Sequence, residues 1–171
     1  MAEPHTLTLP DPMLQRGFWL FVWRIDTPKG ERQYVGRTGD NSSPYATTPY
    51  TRMGQHLGFQ KASNSLRRLL TEQGIEPEKC AQFDLVSYGP IFPEIGKTDE
   101  QDHGEQMELH KPIRDRIAAL ERDLRDALSD AGYSVLNVVR SKGPSDPDNW
   151  SAVLAAFSAN FPKLIEGRAD G

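Results

Sequence analysis

The chain predicts a mixed α/β (α+β) domain: a small central, mainly antiparallel three-stranded sheet flanked by helices, with a further helix added at the C-terminal end. Three observations carry that expectation. Residues 18–38 hold two runs of aromatic and branched side chains around the turn sequence Thr27-Pro28-Lys29-Gly30, so they read as a β-hairpin. Residues 112–131 place Ile113, Ile117, Leu120, Leu124 and Leu128 at steps of four, three, four and four, the apolar stripe of one long helix. A length of 171 residues, with 37% hydrophobic and 26% charged content, suits one globular domain around one core.

Residues 1–16 read as an N-terminal tail, lacking the positive and apolar blocks of a signal peptide. Residues 17–140 then form the main domain. Within it, 18–26 and 33–38 are the hairpin strands, and 39–49 is a polar surface loop. Thr48-Pro49 opens a helix, because proline suits the first helical position, and Arg52 and His56 fall four residues apart on one face of it. Residues 63–73 form a second helix ended by Gly74, and 81–88 a third strand. Residues 89–111, broken by prolines and glycines, read as an insertion loop before the long helix. Gly132 ends that helix, and 135–139 supplies a last short strand. Residues 141–148 are a linker. Residues 149–161, with Trp150, Val153, Leu154, Phe157 and Phe161, form an amphipathic helix that packs on the domain or builds a homodimer interface.

The net charge of −4 taken alone speaks against a nucleic-acid partner. Its distribution speaks the other way. Residues 29–68 hold seven basic side chains (Lys29, Arg32, Arg37, Arg52, Lys61, Arg67, Arg68) against Glu31 and Asp40, a local charge of +5 that leaves −9 elsewhere. Such a sector can grip a phosphate backbone. A lone cysteine, Cys80, excludes an internal disulfide framework and suits a reducing cytoplasm. No run is long enough for a membrane helix. His103, Glu105, Glu108 and His110 match no zinc spacing and read as a solvated polar loop.

The residues that carry chemistry come in a set order. Phe21-Val22-Trp23 is followed, ten residues on, by Tyr34-Val35-Gly36; then come Arg52, His56, Glu121 on the long helix, and Asn137. This series resembles the signature of the GIY-YIG nuclease superfamily across roughly residues 19–139, as a divergent member whose first motif tyrosine is Trp23. The resemblance implies a divalent-metal-dependent endonuclease acting on DNA, with Mg²⁺ or Mn²⁺ as cofactor and no small-molecule cofactor. Arg52 would hold the scissile phosphate, as its planar charged fork suits phosphate oxygens. Glu121, at the margin of the apolar stripe, would hold the metal, since Mg²⁺ takes few carboxylates and fills the rest with water and phosphate. Tyr34 and His56 would orient or activate water, Arg37 would add a phosphate contact, and Gly36 and Asn137 would support the site. Indole offers a donor and no usable base, which leaves three readings of Trp23. Tyr34 or His56 takes the water's proton; or metal-bound hydroxide suffices and Trp23 packs; or the site binds without cutting. Trp19 is a further aromatic on the same strand that could face the site. The remaining classes are a catalytically degenerate nucleic-acid-binding module on the same fold and a protein-interaction domain.

Overall fold

The computed structural model describes residues 1–96 and 100–166. Strands β1 (Phe18–Thr27), β2 (Gly30–Arg37) and β3 (Gln82–Phe92) form one antiparallel sheet in the order β2-β1-β3. The central strand β1 is a nearly unbroken apolar run because both of its faces are covered. Phe18, Leu20 and Val22 join Val35 in one core; Phe21, Trp23 and Ile25 join Tyr34 in the other.

Among the described residues there are five α-helices. Helix α1 (Pro49–Leu57) begins at Thr48, whose Oγ1 accepts from the Thr51 N–H at 3.1 Å. Helix α2 (Ser65–Glu72) is followed by Gly74 at φ +69°, a left-handed position that favours glycine. Leu66 and Leu70 of α2 close the second core, over Trp23 and Tyr34. Helix α3 (His103–Asp130) lays Ile117, Leu120, Leu124 and Leu128 against the first core. Truncating one of these, such as Leu124→Ala, costs about 2–5 kcal/mol. Helices α4 (Pro147–Ser158) and α5 (Lys163–Glu166) complete the chain.

Three sequence expectations need correction. The irregular stretch expected over 89–111 is shorter, since β3 runs to Phe92 and α3 begins at His103. A capping box starts α3: the Asp102 carboxylate accepts from the Glu105 N–H, and the Glu105 side chain accepts from the Asp102 N–H. The helix runs through Pro112, which is exposed, so the carbonyl it leaves unpaired can meet water. His103, Glu105, Glu108 and His110 therefore sit on a helix rather than in a loop. Residues 97–99 of the expected loop lie outside the described residues.

The strand expected over 135–139 is a single parallel bridge, Gln33 to Val135. Gln33 donates to the Ser134 carbonyl at 2.9 Å and accepts from the Leu136 N–H at 2.8 Å. One step further along β2 the Asn137 side chain takes over. Its Oδ1 accepts from the Val35 N–H at 3.0 Å, and its Nδ2 donates to the Val35 carbonyl at 2.7 Å. A side-chain amide thus replaces the backbone, so the ladder stops while the edge of β2 stays paired.

The C-terminal helix packs on the domain, the first of its two expected uses. Val153, Leu154, Phe157, Phe161 and Leu164 are buried in the first core with Phe18 and Leu120, so its apolar face is used within the domain. Residues 167–171 lie outside the described residues. Among the described residues no helix is long and apolar enough to cross a membrane.

Candidate active site

Edge strand β2 positions the site. Tyr34 leaves it on the α2 side, where its hydroxyl pairs with Ser65 Oγ at 3.0 Å. Gly36 lies directly opposite Phe21, and a Cβ at Gly36 would run into the Phe21 ring. Glycine is required there to let that ring lie flat on the strand. Arg37, the last residue of β2, reaches the other way toward α3. Its Nη1 donates to the Gly39 carbonyl at 2.7 Å and its Nη2 to Asn41 Oδ1 at 3.0 Å, while Nε lies 3.0 Å from Glu121 Oε2.

Helix α1 supplies the opposite wall. Arg52 Nη2 pairs with Asp40 Oδ1 at 2.8 Å, and Nη1 donates to Gln55 Oε1 at 3.1 Å. One turn on, His56 packs edge-on against the Tyr34 ring, with centroids 5.1 Å apart. Tyr34, Arg37, Arg52, His56 and Glu121 together line one open polar cavity of about 460 Å³. The structure thus gathers five side chains that the sequence spreads over almost ninety positions.

Burial sets their protonation. Glu121 has a side chain only 15% exposed, and loss of solvent pushes its carboxyl up from 4.5 to about 7, against the opposing pull of Arg37 and Arg52. His56 is pushed the other way, from 6.5 to about 4, first by burial and then by the Arg52 charge. It is a neutral imidazole near pH 7, and its Nδ1 is buried without a hydrogen-bond partner among the described residues. Burial also raises the Tyr34 phenol, so that hydroxyl keeps its proton.

Trp23 stands apart. It sits directly across from Tyr34 in the hairpin, yet its ring is 2% exposed and packs edge-on against Phe83. Trp23 borders a different recess, beneath residues 7–13, and does not line the Tyr34 cavity. Trp19 is also buried elsewhere: its Nε1 donates to the Gln15 carbonyl, and its ring closes on Gly89. Asn137 braces β2 from outside, as described above.

Sequence reasoning missed Asp40, the carboxylate that pairs with Arg52 and also accepts from Ser43 at 2.7 Å. The available signal was its place as the one acid of the 39–49 loop. That loop is also more ordered than its polar composition suggests: Ala46 is buried, and its N–H donates to Glu94, which Arg16 grips from the N-terminal tail.

Among the described residues there is no group of three metal-ligating side chains. A Mg²⁺ or Mn²⁺ ion needs fewer from the protein, because waters and phosphate oxygens complete its shell. Glu121 lines the open cavity and offers it carboxylate oxygens, the hard donors such an ion takes. The residues therefore fit a metal held through one carboxylate. No protein-family model, no curated protein and no solved structure matches this chain.

Proposed function

We propose that this protein is a divalent-metal-dependent endonuclease that hydrolyses phosphodiester bonds in DNA. The observation that carries the reading is the convergence of Arg37, Arg52, Tyr34, His56 and Glu121 on one solvent-open cavity at the edge of the hairpin. The motif order that resembles the GIY-YIG nucleases adds to it.

In the reaction a water oxygen bonds to phosphorus, one P–O ester bond breaks, and the alcohol leaves. Arg52 exchanges its contact with Asp40 for the scissile phosphate, which is feasible because Asp40 is 37% exposed and the pair is partly solvated. Arg37 and Arg52 together offset the charge that builds on the phosphoryl oxygens. A metal bound through Glu121 would polarise the phosphate and lower the pKa of a water. His56 is the candidate proton acceptor: a phosphate that neutralises Arg52 removes the second cause of its lowered pKa, while burial, the larger cause, stays. Tyr34 keeps its proton and orients by hydrogen bonding. Trp23 packs, and the chemistry proceeds without it.

One observation favours a second reading, a module that binds DNA without cutting. The position at which the resembled family keeps a reactive tyrosine is here sealed in the core. Incubating supercoiled, linear, single-stranded and branched DNA with the protein and Mg²⁺ or Mn²⁺ separates the two. Metal-dependent cutting that chelator stops is the expected result. Retained, salt-sensitive binding with no cutting of any substrate would establish the binding module instead.

A further inference from the structure

Most of the basic sector of residues 29–68 does not face the cavity. Lys29 donates to the Gln73 carbonyl beyond the hairpin turn, Arg32 reaches Gln73 as well, and Arg67 pairs with Glu78. A different set of cations gathers beside it. Beside the catalytic cavity, and sharing Arg37 and Asn41 with it, lies a second hollow of about 490 Å³ whose charged lining is Arg37, Arg114, Asp115, Arg140 and Lys142. Four cations thus face one carboxylate in a chain whose net charge is −4. Three of them, Arg114, Arg140 and Lys142, come from the part of the sequence whose net charge is −9.

The hollow is built rather than draped. Arg122 of α3 clamps the segment that presents Arg140 and Lys142: its Nη1 donates to the Ser141 carbonyl at 3.1 Å and the Gly143 carbonyl at 2.6 Å, and its Nη2 to Ser145 Oγ at 3.1 Å. Arg116 pins the same segment further on through Asp146, at 2.9 Å. Arg114 Nη1 ties the other wall to the Asn41 carbonyl at 3.1 Å. Arg140 and Lys142 are themselves exposed and make no ion pair among the described residues. Two cations are thus carried on an anchored backbone with no acidic partner to displace. That arrangement suits a fixed row of anions better than it suits a lone surface charge.

We propose that this hollow seats the DNA backbone next to the scissile phosphate, with Arg140 and Lys142 as direct phosphate contacts, so that the strand runs from Arg52 past Arg37 and over the α3 side of the cavity. The proposal rests on the nuclease reading above. It adds which way the strand leaves the site and which residues determine affinity rather than chemistry.

The test uses the full chain in chelator, binding a labelled duplex between about 50 and 200 mM salt. The double substitution Arg140→Ala/Lys142→Ala is compared with a control of equal charge change at remote sites, Lys29→Ala/Lys79→Ala. Two lost phosphate contacts should weaken binding and take about 1.8 off the slope of log affinity against log salt, and the control should leave that slope in place. With metal, the double variant should cut with raised KM and nearly unchanged kcat. A wild-type slope and affinity in Arg140→Ala/Lys142→Ala overturns the proposal while cleavage by the wild type keeps the nuclease reading. An equal loss in the control variant overturns it too, since the effect would then be one of net charge. A wild type that binds DNA but never cuts removes the nuclease reading, and the slope comparison still decides the strand path. A wild type that neither binds nor cuts removes both.

Discussion

The two walls of the cavity use the same chemical pair in two settings. On the α1 wall Arg52 meets Asp40 at 2.8 Å, with side chains 21% and 37% exposed; on the α3 wall Arg37 meets Glu121 at 3.0 Å, at 14% and 15%. In the solvated pair water screens the attraction, so either partner can be exchanged for a ligand at small cost. In the sunken pair, desolvation outweighs the pull of Arg37 and of the more distant Arg52, and the carboxyl holds its proton up to about pH 7. Burial rather than residue type therefore separates the two walls: on the proposed reading the solvated α1 pair takes up phosphate, and the desolvated α3 carboxylate holds the metal.

Removing the exchangeable cation is the largest test of that division outside Glu121 itself. Arg52→Ala should lower kcat/KM for DNA cleavage about 10²–10³-fold, with Arg52→Lys recovering only part, because lysine lacks the planar fork. Steady-state cleavage measurements would show it.

The sunken wall should also be visible in stability. Glu121 has a folded pKa above its unfolded value, so the folded state binds more protons between pH 4.5 and about 7, and stability falls as pH rises through that window. Glu121→Gln removes this cost. Its stability relative to wild type should grow by on the order of 3 kcal/mol from pH 4.5 to above pH 7, read by denaturant melts at each pH. His56 works in the opposite sense: its depressed pKa means that the unfolded state binds more protons between pH 6.5 and about 4, and stability falls on acidification. The wild type sums the two slopes, so Glu121→Gln should be distinctly more acid-sensitive than wild type below about pH 6.

A smaller effect is expected where the two walls are joined. Asn137 closes the open side of Val35 with both of its amide atoms. Asn137→Ala leaves the backbone N–H and carbonyl of Val35 without these partners and should cost about 1–3 kcal/mol in denaturant melts. Asn137→Asp keeps an acceptor for the N–H but sets a carboxylate oxygen against the Val35 carbonyl where Nδ2 now donates, and should cost at least as much.

The legible parts of the molecule are those written locally. The hairpin showed in its turn residues and aromatic runs, α1 in Thr48-Pro49, and the core face of α3 in the spacing of its leucines. Glu121 could be chosen over other acids because it sits at the margin of that stripe. What was hidden depends on distant chain. Asp40 gains its role only when Arg52 folds beside it. Residues 135–139 carry a strand-like composition, but the decisive event there is a side chain of Asn137 bonding to a backbone about a hundred residues away. Arg114, Arg140 and Lys142 are scattered through acidic sequence and become a patch only once Arg122 has fixed the segment after Asn137. The opening of α3 was misread because Pro112 looks like a helix start, whereas the Asp102 and Glu105 capping box lies ten residues upstream.

The most direct test of the account sets the two walls against each other with the same substitution, carboxylate to amide. Single-turnover cleavage of DNA with Mg²⁺ would be measured for Glu121→Gln and Asp40→Asn beside the wild type. The account predicts that Glu121→Gln loses at least about 10³-fold in rate while still binding DNA, and that Asp40→Asn cuts within a few fold of wild type, because its arginine is only released to the substrate. Full cutting by Glu121→Gln, or an Asp40→Asn protein as inactive as Glu121→Gln, would contradict it.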